Sequence, residues 1–186
     1  MQIDAHLLSN PCYRKVVECL NKSATDKKTL IQILSIEEFK SNDYLQQKEI
    51  FSKKYGPNFI CLFHGTNKIS IEDIERNGFK IPSTPKMLGL GCYFAKDFGK
   101  AKNYCKGSQT VLFCYVHLGH SKEVLRPDPT LNHEKIISGG FDSVFAPANR
   151  FKKSKTDYLS YDEFVIYNPS QALPVFKLKF REWYSQ

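Results

Sequence analysis

The sequence predicts an α+β domain, with helices first and then a run of short strands forming split, mostly antiparallel β-sheets with flanking helices. Three observations predict it. Apolar residues recur at helical spacing through the first third of the 186-residue chain, Gly56-Pro57 ends that texture, and runs rich in β-branched and aromatic residues follow. The chain is read as one domain over 1–186, with 1–57 a helical lead-in and 58–182 the core.

The elements follow in order. Pro11 to Leu20 and Leu30 to Lys54 read as helices, the second from the spacing of Ile33, Ile36, Phe39, Tyr44, Leu45, Ile50 and Phe51. Asn58 to Phe63 is a short strand. Ile69 to Asn77 is a helix with Ser70 as its cap, Glu72 and Asp73 in its first turn, and Gly78 at its exit. Cys92 to Ala95 is a strand, Lys96 to Cys105 a short helix, and Thr110 to Leu118 a nearly all-apolar strand expected to be buried on both faces. Ser121 to Tyr161 lacks clear periodicity and reads as a long loop region. Glu163 to Tyr167 and Val175 to Phe180 are strands separated by the turn signal Asn168-Pro169-Ser170.

Composition narrows the function classes. An apolar content of 41% is enough for one core. No apolar run approaches the roughly 20 residues that cross a bilayer, and no leader-like apolar centre opens the chain. An intracellular protein, cytoplasmic or nuclear, without membrane association is expected. Six cysteines (Cys12, Cys19, Cys61, Cys92, Cys105, Cys114) form no C-x-x-C, and Cys61, Cys92 and Cys114 sit in apolar runs, so they are read as reduced core residues with no metal site. The net charge of +8 permits attraction to a polyanion or a pyrophosphate. Its lysines are scattered, with Lys27-Lys28, Lys53-Lys54 and Lys152 to Lys155 the densest groups, and are read as solvated surface. No dinucleotide fingerprint of the Rossmann kind is present.

Three motifs carry chemistry: Leu62-Phe63-His64-Gly65-Thr66, Gly89-Leu90-Gly91-Cys92-Tyr93-Phe94-Ala95, and Tyr161-Asp162-Glu163-Phe164-Val165-Ile166-Tyr167, joined by Ala101-Lys102-Asn103-Tyr104-Cys105. In this order and spacing they resemble the catalytic domain of the poly(ADP-ribose) polymerase (PARP) family, over at least Cys61 to Phe180. The string Ile36 to Phe51 resembles the helix leading into the core of the smaller members.

The resemblance implies a PARP-type ADP-ribosyltransferase fold that binds NAD as substrate in a cleft of the split sheet. It assigns catalysis to Glu163 with His64 and Tyr93, and cofactor binding to His64, Gly65, Thr66, Tyr93, Phe94, Ala101 and Tyr104. His64 would bond a ribose hydroxyl. Gly65 would offer its backbone to the nicotinamide carboxamide, with no Cβ in the way, and Tyr93 and Tyr104 would sandwich the nicotinamide ring. Glu163 would hold the ribose 2′-hydroxyl and stabilise the positive charge that builds on the ribose. Asp162 points to the opposite face of its strand from Glu163, so only one of the two enters the cleft.

One departure is Ala101, where family members carry a serine that bonds the carboxamide. The short stretch from Gly78 to Gly89, stiffened by Pro82 and Pro85, covers the cleft in the family and favours mono-ADP-ribosylation of a protein acceptor, nucleic acid being the other acceptor considered. A catalytically idle NAD- or ADP-ribose-binding or protein-interaction module is the alternative. A basic nucleic-acid-binding module is a second, opposed by the placement of most aromatics in apolar runs. The small size also resembles compact stand-alone members, some of which are linked to antiviral, innate immune responses, an analogy of architecture alone.

Overall fold

In the computed structural model, residues 1–3, 7, 9, 13–23, 29–41, 43–154 and 157–184 are described. Cys12, Lys27, Lys28 and Lys155 lie outside them, as does Pro11, where the first helix is expected to begin.

The described strands are β1 (Gln2–Ile3), β2 (Thr29–Glu38), β3 (Ile60–Gly65), β4 (Cys92–Phe94), β5 (Thr110–Val116), β6 (Ser121–Glu123), β7 (Ser143–Ala146), β8 (Glu163–Ile166) and β9 (Ala172–Tyr184). The helices are α1 (Arg14–Lys22), α2 (Tyr44–Tyr55), α3 (Lys68–Asn77), α4 (Phe98–Lys102) and α5 (His133–Ser138), with a 3-10 turn at Pro169–Gln171. The strands sort into one sheet of order β1-β2-β9-β5-β3 and another of order β4-β8-β7-β6. Only β1–β2 and β6–β7 are parallel among the described ladders. This is the α+β class with antiparallel-rich sheets that the sequence predicts. Among the described residues the two sheets meet at one bridge between Phe63 and Ala95, whose amides and carbonyls bond reciprocally at 2.7 and 2.9 Å.

The first correction falls on Leu30 to Lys54. Residues 29–38 are a strand of the larger sheet, and the helix starts only at Tyr44, so the helical reading of Ile36 to Phe51 fails in its first half. Ile31 and Ile33 are buried while Leu30 and Leu34 are 43% and 39% exposed, which is strand alternation. A bulge between Ile33 and Ser35 then shifts the phase, so that Ile36 turns inward as well. The extra residue makes buried positions recur three apart and imitates a helix.

Smaller corrections have local causes. The cap of α3 is Asn67, whose side chain accepts from the Ser70 amide, and Gly78 ends the helix as expected. Ser121 to Tyr161 contains β6, α5 and β7; elements this short leave too few residues to show a period. The last strand runs far past Val175 to Phe180 because it pairs with β2 and β5 at once.

Side-chain alternation builds the core. Phe63 and Phe113 face the side covered by α1 and α4, where Val16, Leu20, Phe98 and Phe180 pack. Leu62, Leu112 and Cys114 face the other side, against α3 and the second sheet, with Ile71, Ile74, Phe94 and Phe164. Strand β5 is therefore buried on both faces by these two layers, with antiparallel strands as its neighbours within the sheet. Phe63 meets Phe98 and Phe113 edge-on at 5.6 Å, contacts worth about 0.5–1.5 kcal/mol each beyond area burial. They fix α4 against the end of β3. No disulfide joins the described cysteines, and no described helix is long and apolar enough to cross a membrane.

Candidate functional site

A cavity of about 640 Å³ opens where the sheets part. His64, Gly65, Thr66, Tyr93, Phe94, Ala101, Tyr104 and Glu163 all line it. Asp162 does not; its carboxylate accepts from the Ala148 amide at 2.8 Å.

His64, at the end of β3, is flanked by the rings of Phe79 and Phe94, with centroids at 5.1 and 5.2 Å. Its Nδ1 lies 2.8 Å from the Tyr93 carbonyl. A carbonyl only accepts, so Nδ1–H is the donor and Nε2 keeps a lone pair. Desolvation pulls the imidazole down to about 4, against the bond to Tyr93 and helped by the positive charge of Lys86. The ring is therefore neutral at pH 7, suited to accept a bond from a hydroxyl.

Gly65 is needed by the protein itself. A Cβ there would run into the carbonyl of Ala101, and the Tyr104 Cβ would lie 3.3 Å away. The missing side chain lets α4 seat directly on β3. Backbone groups alternate sides along a strand, and those of Phe63 point to the bridge with Ala95. Those of Gly65, two residues on, point the same way, into the split.

Tyr93 presents its ring rather than its hydroxyl. That hydroxyl accepts from the Leu88 amide at 2.8 Å and donates to the Gly89 carbonyl at 3.3 Å, while the buried Tyr167 hydroxyl donates to the Leu88 carbonyl at 2.6 Å. Burial raises the Tyr93 phenol above its ordinary value, so it serves neither as acid nor as base near pH 7. Gly89 takes φ 76°, which this tight turn requires.

Glu163 opens β8 opposite Ala146 and is only 5% exposed. Its Oε1 lies 2.7 Å from Lys100 Nζ, a residue that the motif reading passed over. Burial lowers the ammonium's pKa, but the hydrogen bond and charge of Glu163 outweigh it and hold Lys100 above its usual range. The same ammonium stands 5.2 Å from the ring centroid of Tyr104, which is 45% exposed. Lys100 sits in α4, capped by Asp97, whose side chain accepts from the Lys100 amide. The signal available in sequence was a lysine four residues before the second tyrosine, inside the short helix.

Among the described residues no group of His, Cys, Asp and Glu side chains is arranged to hold a metal ion. The cavity instead brings together a neutral imidazole, two aromatic rings, free backbone groups and a buried carboxylate paired with a cation.

Residues 12–182 match the family model described as the poly(ADP-ribose) polymerase catalytic domain. The chain belongs to that family. Among curated relatives, this PARP domain is 32% identical over 143 residues to poly(ADP-ribose) polymerase 2-A of Oryza sativa subsp. japonica, covering 61% of this chain and 22% of the relative. It is equally similar to poly(ADP-ribose) polymerase 2 of Zea mays, 32% over 143 residues with the same coverage. It is 27% identical over 166 residues to poly(ADP-ribose) polymerase 2 of Homo sapiens, covering 72% of this chain and 28% of the relative. The PARP domain thus spans about a quarter of the length of these relatives.

Proposed function

We propose that this PARP domain binds NAD in the cavity, breaks the bond between nicotinamide and ribose, and transfers one ADP-ribose to a protein acceptor. The observation that carries the reading is the burial of the Glu163 carboxylate in the same cavity as His64 and the rings of Tyr93 and Tyr104. In the step, the C–N bond to nicotinamide breaks and its electron pair leaves on the ring nitrogen. Positive charge builds at ribose C1′ and is stabilised by the nearby carboxylate, which exchanges part of its contact with Lys100 for the ribose 2′-hydroxyl. A lone pair of the acceptor then forms the new bond at C1′ and its proton passes to Glu163 or solvent. His64, neutral, accepts from a ribose hydroxyl of the adenosine half, and the Gly65 backbone groups bond the carboxamide.

The test is incubation of the pure protein with NAD labelled in the adenylate. Release of nicotinamide with label on protein, lost in Glu163→Gln, supports transfer. Label appearing on added nucleic acid instead would move the acceptor class.

A second reading, a module that binds NAD without turnover, is favoured by Ala101 and by the ion pair that engages Glu163. Thermal stabilisation by NAD with no nicotinamide released would establish it in place of the first.

A further inference from the structure

The charged groups lining the cavity do not balance. Four lysines, Lys80, Lys86, Lys100 and Lys106, face two acids, Asp73 and Glu163. Lys80 pairs with Asp73 at 3.1 Å and Lys100 with Glu163 at 2.7 Å. Lys86 and Lys106 have no acidic partner among the described residues. Both are exposed at the rim.

Each stands on a turn tied down by its neighbours. Lys86 exchanges backbone bonds with Gly89, at 3.1 and 2.9 Å, in the turn secured by the Tyr93 and Tyr167 hydroxyls. Its ammonium lies 5.4 Å from the Tyr93 ring centroid. Lys106 follows Tyr104 in a turn whose Ser108 hydroxyl donates to the Thr66 carbonyl at 3.0 Å. Its φ of 35° lies in the left-handed region, which lysine seldom occupies and which the surrounding structure must enforce.

We propose that Lys86 and Lys106 form a clamp for the diphosphate of a dinucleotide, and so make the cavity discriminate ADP-ribose-bearing ligands from nicotinamide or a nucleoside. This inference rests on the NAD-binding reading above. A diphosphate bridge brings one negative charge per phosphate, which matches the two unpaired ammonium groups. Both ammonium groups stand at the exposed rim, so the pairing is modest in strength and weakens as salt screens it.

Calorimetric titration tests it, with ADP-ribose and nicotinamide as separate probes, on the native protein, Lys86→Gln, Lys106→Gly and the double variant. Glycine at 106 removes the ammonium while accepting the left-handed backbone. Each single variant is expected to weaken ADP-ribose about fivefold and the double variant further, with a shallower dependence on salt and nicotinamide affinity unchanged. Lys86→Arg should retain native affinity. Unchanged ADP-ribose binding in the double variant, or an equal loss for both probes, overturns the clamp alone. A native protein that binds neither ADP-ribose nor NAD overturns the underlying reading and the clamp with it.

Discussion

The Lys100 ammonium lies 2.7 Å from the Glu163 carboxylate, with both side chains largely withdrawn from solvent. Their low exposure makes each the main counter-charge of the other, so removing one strands a buried ion. Lys100→Met is expected to cost about 3 kcal/mol of stability, and Lys100→Met with Glu163→Gln distinctly less than the sum of the two single changes. Denaturant melts of the four proteins give the coupling; additive losses would mean that the pair is not energetically linked. The raised Lys100 pKa also sets a sign. Its contribution is full below the ordinary lysine value of about 10.4 and fades as pH climbs through the higher folded value.

His64 titrates in the opposite direction. Its pKa falls from 6.5 to about 4 on folding. Between those values the unfolded chain takes up the proton and the folded one does not, so stability declines as pH drops through this window. The contribution is on the order of 3 kcal/mol. His64→Gln, whose amide can still donate to the Tyr93 carbonyl, should flatten the stability profile between pH 6.5 and 4. Profiles of equal slope would place the acid sensitivity elsewhere.

Gly65→Ala sends a methyl group into the Ala101 carbonyl. Backbone cannot yield as a flexible side chain does, so α4 must lift, carrying Lys100 and Tyr104 with it. A loss of about 1–3 kcal/mol is expected, together with weakened nicotinamide binding. A variant with native melting temperature and affinity would contradict the close seating of the helix.

Ala101 lines the cavity with its side chain 3% exposed. A hydroxyl there has a buried site from which to meet a carboxamide, and one such bond is worth about 1 kcal/mol. Ala101→Ser should therefore tighten nicotinamide about fivefold, read by calorimetry. Unchanged or weaker affinity would count against this helix as a wall of the nicotinamide site.

Much of the second half of the fold was legible because its strands are uninterrupted apolar runs with Gly or Pro at their borders, as at Thr110–Val116 and Glu163–Ile166. The strand at Thr29–Glu38 was not, because the bulge at Ile33/Ser35 converts a period of two into an apparent helical step. Motif order led to His64, Tyr93, Tyr104 and Glu163, which do line one cavity. It could not lead to Lys100, Lys86 or Lys106. A lysine's meaning depends on which acid or ring the fold sets beside it, and in sequence all three look like ordinary surface charge.

Among the described residues, the single rung between Phe63 and Ala95 leaves the inner margins of both sheets unpaired just where the hollow begins. An amide-bearing guest that bonds the Gly65 backbone therefore does more than fill a hole: it supplies the next rung of an interrupted ladder. Occupancy should knit the two halves of the molecule together, so that slowed amide exchange spreads along β3 and β4 well beyond the atoms in direct touch with the guest.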